Sequence, residues 1–174
     1  MIMFTALIGA FVLFGQPAQP PSTSQGTGNL SIPFPGTFVS LDTARSMVSF
    51  QIGVPTYLPR AFAHTAVRVD PSYPMGGLVY LIYSSVPFDD NTTMADLLGA
   101  GGFFIVETHE PATDPGPIIE AVVKEQAATK VTINGNPGFS AGNQLHWWAL
   151  GIHYAIVSPF PQADMVAIAN SVAP

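Results

Sequence analysis

From residue 40 onward the chain alternates short apolar runs with Gly, Pro and Asn-Gly breaks, and each run has the length of one structural element. Residues 40–48 read as a short helix with Ser40 as N-cap and Asp42 in the first turn. Ala44, Met47 and Val48 then share a face by the i, i+3, i+4 rule. Residues 50–54 are apolar and β-prone, and Pro55 and Pro59 break any ladder beyond them. A strand begins at residues 67–69. Residues 77–83 form a clearer one, apolar on both faces and so expected to be buried on both. A polar loop at Asp89, Asp90 and Asn91 precedes one or two helical turns at 93–98, which Gly99 to Gly102 end. Residues 103–107 are again a strand, closed by Pro111 and the turn-rich residues 114–117. Residues 118–129 fit a helix presenting Glu120, Lys124 and Glu125 outward, or a strand leading into Lys130.

The last third is the most legible. Residues 131–139 and 144–157 read as two hairpins. Asn134-Gly135 suits a tight two-residue turn in which both central positions need positive φ, and Gly151 offers a second turn. The tail 161–172 is amphipathic, with Met165, Ile168, Ala169 and Val172 as one buried stripe. Short strands interspersed with a few helices define an α+β domain.

Composition narrows the possible functions. The chain is 48% hydrophobic and only 9% charged, with a formal net charge of -6. It therefore has no basic patch to neutralise phosphates, and nucleic-acid binding is excluded as an expectation. The absence of cysteine removes disulfides, thiolate metal sites, thiol nucleophiles and lipobox attachment. No cofactor or metal site is expected.

Charge is also unevenly placed. Residues 1–15 are an unbroken apolar run, and residues 16–36 are rich in Pro, Ser, Thr, Gln and Gly. This is the order of an export signal or membrane anchor followed by a disordered tether, with the domain over 37–174. As a helix the run would span about 22 Å, short of the ~30 Å hydrocarbon core, which suits a signal peptide. No Lys or Arg precedes it, so Met1 is expected to fall inside a longer hydrophobic segment. The protein is accordingly expected to be extracytoplasmic, tethered to the membrane or secreted.

The segment order resembles the DUF4367 family. The resemblance rests on residues 40–44, 48–50 and 57–59, the strand 79–83, the strand ending in Asn134-Gly135, then Trp147, Trp148, Gly151 and Tyr154, and the closing Ala169 to Ser171. It covers residues 40–173, with Phe62 where the family usually has tyrosine. It implies an extracytoplasmic domain of the kind found in anti-sigma-factor-like and lipoprotein-like bacterial proteins. It also implies a curved antiparallel half-barrel, similar to lipoprotein carriers, with helices packed on one face and an apolar groove between them.

Residues 138–142 match the Gly-x-Ser-x-Gly pattern of a nucleophile elbow around Ser140. That chemistry needs a strand, a strained turn and a helix, then an acid and a histidine in order. A Trp-rich strand follows instead, and no histidine lies beyond Asp164. A Gly-rich hairpin is the preferred reading, and a small serine hydrolase the remote one. Among His64, His109, His146 and His153 no pair has helical metal spacing. His146 and His153 face each other across the second hairpin, as a pH-sensitive or metal-binding pair or as ordinary strand polar positions. Glu107, His109 and Glu110 read as a solvated strand end. Asn29 and Asn91 begin short glycosylation-type matches. Adjacent strand positions point to opposite faces, so one of Trp147 and Trp148 is core and the other is a candidate for a ligand groove or partner surface. The candidate binding residues are Trp147, Trp148, Tyr154, His146 and His153. The expected function is non-enzymatic: binding of an apolar ligand or envelope protein partner, with envelope sensing linked to a sigma factor as the family version. Lipid or lipoprotein carriage is the alternative.

Overall fold

A computed structural model describes residues 34–173, except residues 75 and 112. The apolar run 1–15, and the spacer as far as residue 33, lie outside the described residues. Ten strands and four helices follow in the order β1 (Thr37–Val39), α1 (Leu41–Met47), β2 (Val54–Pro55), β3 (His64–Asp70), β4 (Leu78–Ser84), α2 (Met94–Gly99), β5 (Phe103–His109), α3 (Pro115–Gln126), β6 (Thr129–Ile133), β7 (Asn136–Ala141), β8 (Gln144–Ala149), β9 (Ile152–Val157), α4 (Gln162–Ser171) and β10 (Val172–Ala173). Eight strands form one open antiparallel sheet in the order β1-β3-β4-β5-β9-β8-β7-β6, and β10 pairs with β2 in a small second sheet.

Local chemistry explains most element ends. The Ser40 side chain accepts the Thr43 N–H at the start of α1. Thr93 and Asp96 form a reciprocal capping box on α2. Residues 114–117, read from sequence as a turn, instead start a helix. Asp114 caps the Gly116 N–H, and a proline at the first helical position costs no hydrogen bond because that N–H has no intrahelical partner. This resolves residues 118–126 as helix, and the strand begins only at Thr129. In the β6–β7 turn Asn134 and Gly135 have φ of 48° and 82°. In the β8–β9 turn Leu150 and Gly151 have 53° and 76°. Both turns have the paired positive φ that matches the twist of a hairpin. Of residues 50–54 only Val54 enters a ladder. Val172 leaves the C-terminal stripe to start β10.

The helices do not share one face, as the resemblance implied. Alternation along each strand gives the sheet two apolar faces, and both need cover. On the first, Val79, Leu81, Phe103, Ile105, Trp147 and Ile156 pack with Ala44 of α1 and with Met165, Ile168 and Ala169 of α4. On the second, Tyr80, Ile82, Phe104 and Val106 pack with Met94 and Leu97 of α2. Farther along that face, Phe139 and Trp148 pack with Ile119 and Val122 of α3. Phe34, placed by the sequence in the polar spacer, is buried edge-on against Tyr80 and Phe104.

Candidate functional site

Three places in the fold gather chemistry. The first is a buried polar chain on the second face. β9 pairs with both β5 and β8, which sets His153 opposite Thr108 on one side and opposite Trp148 on the other. The His153 ring stacks on Trp148 with centroids 4.3 Å apart. Its Nδ1 lies 3.4 Å from Glu110 Oε1, and its Nε2 lies 3.1 Å from His146 Nδ1. His146 Nε2 is 3.1 Å from Gln144 Oε1, and its ring stacks on Phe139. Trp148 Nε1–H donates to Glu110 Oε2 at 3.1 Å, and the Thr108 hydroxyl donates to Oε1 at 3.3 Å. All these side chains are buried.

Proton placement follows from valence. A carboxylate only accepts, so His153 Nδ1 carries a proton toward Glu110. With Gln144 Oε1 facing it, His146 donates from Nε2 and accepts at Nδ1. His153 Nε2 then faces His146 Nδ1 as the donor of that pair. Turning the Gln144 amide over reverses the direction. Burial raises the Glu110 pKa, but the hydrogen bond and charge of His153, then Trp148 and Thr108, outweigh it and hold Glu110 below the usual carboxylate value. Burial, and then the charge of His153, hold His146 well below the ordinary imidazole value, so His146 is neutral. The histidines thus meet as the hairpin suggested, diagonally rather than directly opposite. Among the described residues no group of three or more His, Cys, Asp or Glu side chains is placed to hold a metal ion.

The second place is Glu107, on the first face of central strand β5. It is 0% exposed, against the expectation of a solvated strand end, and Glu110 is buried too. The position is legible afterwards: Glu107 is two and four residues from Ile105 and Phe103, which point into the same core. Oε2 accepts the Gly53 N–H at 2.9 Å, while Oε1 has no partner. Burial pushes the carboxyl up to about 8, partly offset by the Gly53 hydrogen bond. Tyr154 is its cross-strand neighbour on β9. The phenols of Tyr154 and Tyr83 are raised by burial and then by the Glu107 charge.

The third place is an open cavity of about 550 Å³ where β1 ends beside the start of β3. Phe38, Val39, Ala63, Pro87 and Phe88 supply apolar walls, and His64, Thr65 and Ala66 complete it. β1 pairs only with Val67, Arg68 and Val69, so residues 64–66 have a strand neighbour on the β4 side alone. No local motif marks this cavity, because its walls come from segments that meet only in the folded sheet.

The candidate binding residues read from the sequence are not at that cavity. Trp147 and Trp148 do point to opposite faces, but both are buried. Trp147 stacks on Tyr154 at 4.8 Å within the main core, so neither Trp offers a free aromatic surface. Ser140 lies in a strand, buried, with its hydroxyl donating to the Gln144 carbonyl. A hairpin rather than a helix follows, so the nucleophile-elbow geometry is not formed. No helix of the described residues is long and apolar enough to cross a membrane. Comparison of the chain with family models, with curated proteins and with solved structures found no match.

Proposed function

We propose that this is a non-enzymatic, extracytoplasmic binding or sensing domain that takes an extended segment of an envelope protein partner at the free edge of β3. The observation that carries this reading is the 550 Å³ cavity beside three strand residues with no neighbour on one side. Unpaired strand backbone recognises another backbone, and flanking apolar pockets select its side chains. Its volume lies in the range of ligand sites. The apolar run 1–15 supports tethering to a membrane. The resemblance to DUF4367 supports the version in which the domain reports to a sigma factor and the sheet curves as a lipoprotein-carrier-like half-barrel. The absorbed hydrogen bonds of Ser140, His146 and His153 favour binding over hydrolysis.

Lipid carriage is the second reading, favoured by the apolar walls of the same cavity. The two separate by experiment. Native mass spectrometry of the full chain purified from its membrane fraction should show a bound peptide rather than lipid. Phe88→Asp, in a cavity wall that packs against the second-face cluster, should weaken peptide capture at least tenfold in the absence of urea, where the variant is still folded by circular dichroism. Co-purified lipid lost in Phe88→Asp would establish carriage instead. Capture unaffected by Phe88→Asp would remove the cavity from the binding site.

A further inference from the structure

We propose that Glu107 is a proton-operated latch: its neutral carboxyl seats residues 50–58 on the sheet, and loss of that proton releases them together with the C-terminal strand.

The attachment is specific. Gly53 N–H donates to Glu107 Oε2 at 2.9 Å, tying the segment to the central strand. The segment's other hydrogen bonds go to the chain end. Val54 and Pro55 pair with Ala173 and Val172. Thr56 N–H donates to the Ser171 carbonyl, and Tyr57 N–H to Ser171 Oγ. Residues 53–57 and 171–173 therefore form one unit that can move together. Apolar packing of Ile52 and Val172 holds that unit on the main core.

Glu107 Oε1 decides the chemistry. It is buried without a partner. In the neutral acid, one hydroxyl goes unsatisfied, a modest cost. In the carboxylate, the Gly53 hydrogen bond strengthens, but a full charge then rests on it deep in the core, and the desolvation outweighs that gain. β4 and β9 flank β5 on both sides, so the carboxylate reaches water by displacing the segment above it. The raised carboxyl value, about 8, agrees with this preference.

Among the described residues no Lys or Arg is hydrogen-bonded or ion-paired to Glu107. Tyr154 on β9 and Tyr83 on β4 are the titratable groups coupled to it, and their own ionisation is suppressed by the same burial. His109, two residues farther along the same face of β5, stacks on Phe50 of the same segment and is a further titratable group to control for. The direction follows directly: the latch is closed in acid and opens as the pH rises through the carboxyl's own value.

Hydrogen exchange of the full chain at pH 6 and pH 9, corrected for intrinsic rates, tests the proposal. Amides of residues 53, 54, 56, 57, 172 and 173 should lose about a hundredfold in protection, because opening is linked to proton release from the ordinary carboxyl value up to about 8. β4 and β8, which open only with the whole domain, should stay more protected than these amides at both pH values. Glu107→Gln should abolish the pH response, whereas His109→Gln should keep it. The carboxyl carbon resonance of Glu107 in the wild-type chain gives an independent reading that needs no variant, and should titrate above pH 7. Titration at the ordinary carboxylate value, protection of residues 53–57 equal to that of β4 and β8 at pH 9, or an unchanged response in Glu107→Gln would each overturn the latch.

Discussion

Trp148→Phe isolates the buried polar chain on the second face. Phenylalanine keeps a ring against His153 and Phe139 but removes the Nε1–H that serves Glu110 Oε2. The smaller ring buries roughly 40 Å² less, about 1 kcal/mol. Loss of a hydrogen bond to a charged group adds about 1.5–3 kcal/mol. The expected total near neutral pH is about 2.5–4 kcal/mol, read from urea midpoints with an unchanged slope. The charge-dependent part has a sign that can be checked. Glu110 has a folded pKa below its unfolded value. Its contribution is therefore present above the unfolded value and lost as pH falls through the folded one. Removing the donor raises the folded value, so the deficit of Trp148→Phe should shrink to about 1 kcal/mol in strong acid. A double-mutant cycle with Glu110→Gln should give a coupling of about 1–2 kcal/mol near neutral pH. A deficit that is the same at every pH, with no coupling, would refute the charged hydrogen bond and leave only ring size.

Glu107 and His146 should pull stability in opposite directions. The raised folded value of Glu107 makes stability fall as pH rises from about 4.5 to about 8, and the lowered one of His146 makes it fall as pH drops below about 6.5, each by about 1.4 kcal/mol per unit. Urea midpoints of the wild type should then be nearly level from pH 5 to 6.5 and decline to pH 8, while Glu107→Gln loses stability toward pH 5 and His146→Gln gains it. Ile168→Ala in α4, whose side chain is fully buried, should cost about 2–5 kcal/mol by thermal or urea unfolding, against a much smaller effect of Asp164→Ala. Gly138→Ala would set a methyl 2.2 Å from the His146 carbonyl oxygen, so it should force β7 off β8 and cost about 3 kcal/mol or more, visible as lost amide protection in both strands.

What the sequence determined by itself was local. Asn134-Gly135 and Gly151 dictated hairpins because few residues accept positive φ. Ser40 dictated a helix start because its hydroxyl replaces a missing backbone partner. Period-two alternation sent Trp147 and Trp148 to opposite faces. Alternation does not say whether a face meets water or a helix, which is why one Trp looked free and Glu107 looked solvated. Tertiary structure decided both by laying α1 and α4 on one face and α2 and α3 on the other. It also decided the pairing of β9 with β5, which brought Glu110 to His153, and the short reach of β1, which left residues 64–66 unpaired on one side. Such pairings join segments far apart in the chain. Their stability comes from burying a whole face at once, and no single segment carries that information.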